Sequence, residues 1–275
     1  MRLRDKTLHN RTQSTDFLLS QGHFLKATMT FSLLDISALV WFIVSWAGYT
    51  AFARRKAKDT DCIARGLHKH RIYWMLEVMT RGVRVGDAAL LANLERNIAF
   101  FASTTLFVLA GVLTLFAQVE RLESVIATIP FATPPNHALV QVKLALLVSI
   151  FVMAFFQFTW SMRQYGFVNV MIGAGPLDSD GSNDNLKAYA RQMATVQDQA
   201  AHSYNYGLRA YYFSMAVLCW FVHPILFISA SLFVVATLYR REFKSRAVLA
   251  ITAAKGHLQI ESQVRETARN HKIES

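Results

Sequence analysis

Ionisable and aromatic side chains next to long apolar runs are the residues of this sequence that could do chemistry. Phe158-Thr159-Trp160-Ser161-Met162-Arg163-Gln164-Tyr165 closes one apolar run, and Gly207-Leu208-Arg209-Ala210-Tyr211-Tyr212 opens the next. Such positions ordinarily supply an aromatic belt and positive anchors. A sharper reading joins Trp160, Arg163 and Arg209 to Arg81 and Arg84 of an amphipathic segment between the first two apolar runs, on the same side of the membrane. Together they would form a basic, aromatic-walled pocket for a lipid head group or another anion. His223 joins this candidate ligand-binding set as a deep titratable group beside a proline. Its plainer role is an imidazole satisfied by a neighbouring carbonyl.

Other ionisable groups carry less. Asp35 stands near the start of an apolar run and is expected to cap its helix, while Lys143 is expected to snorkel to the interface. Cys62, His68 and His70 match no closed zinc pattern and lack a fourth ligand. Asp178, Asp180, Ser182 and Asp184 alternate as calcium ligands do, but Gly181 comes too early and Tyr189 stands where a closing Glu is needed, so a solvated turn is expected. No second deep His could complete a bis-histidine haem site. No nucleophile elbow, phosphate-binding glycine loop or zinc-protease helix is present in a usable context. Catalytic residues, metals and cofactors are therefore not expected, and neither is an enzyme.

The elements that must position these residues follow from composition. Of 275 residues 53% are hydrophobic and only 17% charged, and the apolar ones are bunched into long runs. Runs of that length belong in a bilayer, where a helix satisfies every backbone donor and acceptor. The expected fold is all-α: a polytopic membrane helix bundle of about four transmembrane helices with two interfacial amphipathic helices. The spans fall at about 33–53, 98–119, 139–161 and 210–239, within a transmembrane domain over 33–239. A polar tail over 1–32 is expected to be disordered, with Met29 an alternative start, and a basic tail follows over 240–275.

The last run is longer than one perpendicular crossing requires. His223-Pro224 near its middle predicts one long kinked helix whose freed carbonyl needs a partner inside the protein. The rarer alternative is a re-entrant turn, which would bring the basic tail to the side of the basic loops. Between spans one and two, Ile72, Leu76, Met79, Val83, Leu90 and Leu94 recur at helical spacing, with a bend expected near Gly82 and Gly86. Between spans three and four, Leu186, Tyr189, Met193, Val196, Ala200 and Tyr204 repeat that pattern, with Asp184 as the expected cap. These two loops hold nearly as many basic residues as the tails and the middle loop together, so the positive-inside count fixes no orientation for four spans.

The formal charge of +11 raises the question of nucleic acid, but the basic residues flank apolar runs, where they meet lipid head groups. The expected partners are membrane lipids, anionic ones among them, and a second copy or another membrane protein, but not nucleic acid. Ala99, Ser103 and Gly111 form a stripe of small residues where another helix can approach closely.

Phe100-Phe101-Ala102-Ser103-Thr104-Thr105, the ending Phe158-Thr159-Trp160 with Arg163-Gln164-Tyr165, Gly207-Leu208-Arg209-Ala210-Tyr211-Tyr212-Phe213 and Tyr239-Arg240-Arg241-Glu242-Phe243 resemble domain-of-unknown-function family 599, a family of uncharacterised polytopic membrane proteins. The resemblance runs from about Leu33 to Ser245. It implies membrane residence and brings no activity or site residues with it. The leading functional expectation is a multi-pass protein of a bacterial inner or plasma membrane that binds or moves a small anion or lipid. The alternatives are a structural or assembly subunit presenting its amphipathic helices and, least supported, a membrane-embedded enzyme.

Overall fold

The sequence folds into helices throughout its described length, residues 32–134, 136–179 and 181–274 of a computed structural model. The polar tail expected over 1–32 lies outside these residues apart from Ser32. In chain order the helices are α1 (Leu33–Asp59), α2 (Ile63–Thr80), α3 (Val85–Ala117), α4 (Val119–Ala127), α5 (His137–Ala174), α6 (Asp184–Trp220), α7 (Pro224–Phe243) and α8 (Arg246–Glu274). Among the described residues, four segments are long and apolar enough to cross a membrane: Leu33–Ala57, Val85–Ala117, His137–Ala174 and Pro224–Val264, the last comprising α7 and part of α8. The protein is thus a multi-pass, all-α membrane bundle.

Cross-helix contacts fix the directions of the helices. Asn169 of α5 bonds Glu95 of α3, and Phe101 of α3 stacks on Phe158 of α5, so α3 and α5 are antiparallel. Ser161 of α5 donates to the Ala200 carbonyl of α6, and Lys143 reaches Trp220, so these two are antiparallel as well. Asp35, Phe42 and Tyr49 of α1 meet Trp220, Phe227 and Glu242 in turn, so α1 and α7 run the same way. The bundle therefore has a hairpin end, holding the start of α1, residues 118–136 and the turn 221–223. Its basic end holds α2, the polar half of α6 and the end of α7.

The contacts correct the expectation for 210–239, which is not one long kinked helix. α6 stops at Trp220, residues 221–223 turn, and α7 returns beside α6 until Arg241 bonds Tyr212 and Arg209 bonds Glu242. Proline explains the break. In a continuous helix the N–H of residue 224 would bond the carbonyl of residue 220, and Pro224 has no N–H. The orphaned Trp220 carbonyl accepts instead from Lys143 Nζ at 2.8 Å, and the Val222 carbonyl accepts from the Thr133 N–H at 3.0 Å. His223 caps the returning helix, its Nδ1 accepting from the Ile225 N–H at 3.1 Å. It does not pair with a carbonyl as expected.

α6 occupies the centre. Ala210, Phe213, Ser214, Ala216, Val217 and Trp220 are all buried, enclosed by α1, α5 and α7. Its polar half is the expected amphipathic segment, with Met193 and Ala200 buried, and Asn183 rather than Asp184 is its cap. The first amphipathic segment breaks at residues 81–84, and its second half is continuous with span two. Val83 in the break is exposed, and past it the apolar stripe turns outward, leaving Leu90 and Leu94 exposed while Asp87 and Leu91 are buried. Ser103 and Gly111 face away from the bundle, so the small-residue stripe does not close it. The expected basic tail continues as α8, which packs on α2 where Ile251 lies against Gly66.

Candidate functional site

A cavity of about 420 Å³ opens at the basic end between α1, α2, α6 and α7. Four elements must meet to make it. α1 contributes Arg54 from the cluster that ends its apolar run. The first turn of α2 contributes Cys62, Ile63 and Arg65, and the returning α7 contributes Leu238 and Arg241. The polar half of α6 forms the back wall with Asp198, His202, Tyr206 and Arg209.

The charges of this wall divide into two kinds. Asp198 is committed, accepting from Arg71 Nη1 at 2.5 Å and bonding His68 Nδ1. Glu242 is committed as well, accepting from Tyr49 Oη at 2.8 Å and from Arg209 Nη2 at 2.6 Å and Nε at 3.1 Å. Arg209 also sits over the rings of Tyr49 and Tyr206, 5.5 and 5.6 Å from their centroids. That two-donor, stacked arrangement, with both N–H groups on Glu242 Oε1, ties α1, α6 and α7 together and occupies the guanidinium.

Arg54, Arg65 and Arg241 are different. Among the described residues no ion pair involves any of them. Tyrosine hydroxyls, which carry no charge, orient two of the three. Arg54 Nη2 donates to Tyr206 Oη at 3.1 Å, and Arg241 Nη1 donates to Tyr212 Oη at 2.7 Å while lying over the same ring. Beside them the α2 N-terminus adds partial positive charge, because first-turn N–H groups have no partner within the helix. Cys62 Sγ accepts from the N–H of Arg65 at 3.5 Å. His202 reaches the open side of the cavity but is crowded by protein elsewhere. Crowding holds its pKa below 6.5, with Arg71, Arg209 and Arg54 pushing the same way and Asp198 opposing them.

Of the six residues singled out from sequence, only Arg209 lines this cavity. Arg81 donates at 2.7 Å to Asp87, a buried carboxylate that also accepts from Trp74 Nε1 at 2.7 Å. Arg84 donates to the carbonyls of Ile172, Gly175 and Pro176 at 2.7, 2.6 and 3.0 Å and so closes the C-terminus of α5. Trp160 and Arg163 are exposed on the outer surface of α5, with Phe167 as their shared neighbour. His223 sits at the hairpin end. These residues are not brought together in one pocket.

Asp35 and Lys143 also depart from expectation. Ser32, not Asp35, caps α1, and Asp35 accepts from Trp220 Nε1 at 2.8 Å. Lys143 is 3% exposed, so it does not snorkel. Asp178 is turned inward, accepting from the Ser182 and Asn183 N–H groups, and Asp180 lies outside the described residues. Among the described residues no group of His, Cys, Asp and Glu is placed to hold a metal.

The cavity residues gave little signal in sequence, since Tyr206 and Arg241 are far in the chain from Arg54 and Arg65. Only the α6–α7 hairpin brings Arg241 back to Arg54.

A family model described as "Protein of unknown function, DUF599" matches residues 37–247. No curated protein and no solved structure matches the chain.

Proposed function

The chain belongs to the DUF599 family, whose description assigns no activity, and on that premise we propose that it is a binding protein that holds a small anion or an anionic lipid in the basic-end cavity. One observation carries this reading: three arginines that form no ion pair among the described residues share one concave, aromatic-walled site with a helix N-terminus. Unneutralised guanidinium groups beside such a terminus favour a carboxylate or phosphate. The residues differ from those expected on sequence grounds, while the ligand class is the same.

The topology supports an orientation too. Arg121 is the sole Lys or Arg of residues 118–136 at the hairpin end, whereas α2, the polar half of α6, the end of α7 and α8 are rich in them. By the positive-inside rule the cavity then faces the cytoplasm, of a bacterial inner membrane or another plasma membrane. The alternative of a subunit that presents its amphipathic helices gains nothing from these contacts, since Met75, Val78, Met79, Met193 and Ala200 are already buried within the chain.

The test is an inventory of anionic compounds co-purifying with the wild type and with the triple variant Arg54→Gln, Arg65→Gln, Arg241→Gln. A compound near one per protein in the wild type, lost from a folded triple variant, is expected. Identical inventories would remove the reading.

A further inference from the structure

We infer that the occupant of the basic-end cavity is an anionic phospholipid, its phosphate lying between Arg54, Arg65 and Arg241 and its acyl chains remaining in the bilayer. The inference rests on the anion-site reading above and narrows it.

Depth favours a lipid. Arg54 stands where the apolar run of α1 ends, and Arg241 stands in the last turn of α7. Both helix ends therefore meet the membrane where head groups lie, and basic residues at that depth attract anionic lipid. A free metabolite needs no such placement.

The composition of the wall points the same way. Beside the arginines stand Ala53, Ala57, Ile63, Leu208, Leu238 and Phe243, which offer no polar atoms beyond their backbone. A small hydrated anion gains nothing from burying apolar surface, whereas the glycerol and first methylenes of a lipid do. Size agrees. A cavity of about 420 Å³ takes a phosphate and glycerol backbone but not two acyl chains.

The experiment is native mass spectrometry of the full chain in a non-ionic detergent, with phosphatidylglycerol, phosphatidylcholine or inorganic phosphate added. We expect one phosphatidylglycerol retained at least tenfold more tightly than phosphatidylcholine, with no competition from inorganic phosphate at millimolar concentration. The double variant Arg65→Gln, Arg241→Gln should weaken it about tenfold, and Arg191→Gln, outside the cavity, should leave it unchanged. Equal retention of the two lipids, or an unchanged double variant, would overturn the inference. Phosphate binding that displaces the lipid would overturn it too, yet leave the anion site standing. Failure of every anion to bind would remove both. The comparison of lipids on the wild type decides the matter even if a variant does not fold.

Discussion

Lys143 shows how a single residue's neighbours decide its role. By position alone it is a lysine near a span end, and such residues ordinarily snorkel. Its ammonium instead supplies the hydrogen bond that Pro224 took from the Trp220 carbonyl, at 2.8 Å, with the Trp220 ring 5.3 Å away. Lys143→Met should leave that carbonyl unsatisfied and cost about 1–3 kcal/mol, read as a lower unfolding temperature in detergent. An unchanged temperature would show that the carbonyl finds another donor. His202 makes a pH-dependent prediction at the same scale. Its pKa is depressed, so it is neutral at pH 7, and a bound anion favours its charged form. Affinity for a phosphodiester, which keeps its charge throughout, should therefore rise as pH falls below 6.5. His202→Gln should flatten that slope, and an equally steep slope in the variant would assign the effect to another group.

At the scale of elements, α5 and α6 approach closely at Gly207. A Cβ there would lie 2.5 Å from Cε1 and 2.7 Å from Cζ of Phe158, which is itself fully buried against Phe101, Tyr204 and Tyr211. Gly207→Ala should destabilise the protein by about 1–3 kcal/mol through overpacking, and shortening the ring with Phe158→Leu should restore part of the loss in a thermal melt. An additive double variant would contradict the contact. The elements were also what the sequence expressed best. Hydropathy located the apolar runs, and helical spacing found the buried face of the polar half of α6 at Met193 and Ala200. Periodicity found the first amphipathic segment as well, but not that Leu90 and Leu94 would face outward after the break at residues 81–84. His223-Pro224 marked the place of the last break without giving its angle, because a proline removes the same hydrogen bond in a kink and in a turn. That angle depends on Lys143 and Thr133, which lie in other elements. The cavity was illegible for the same reason: each of its arginines resembles an ordinary span-end anchor until the hairpin sets Arg241 beside Arg54.

For the whole molecule, the consequence of the hairpin is a change in sidedness. A single long fourth helix would put the C-terminal segment at the end opposite α2. The hairpin brings it back, concentrates the basic side chains of the described residues at one end and lets α8 pack on α2 at Gly66. The binding reading depends on this arrangement, since without it Arg241 and Arg54 do not share a cavity. Single cysteines at Ser124, Arg191 and Gln259, introduced after Cys62 and Cys219 are replaced by Ser, test it with a membrane-impermeant thiol reagent. Positions 191 and 259 should react from the same side of the membrane and position 124 from the other. If position 259 instead reacts from the side of position 124, α7 does not return and the cavity does not form.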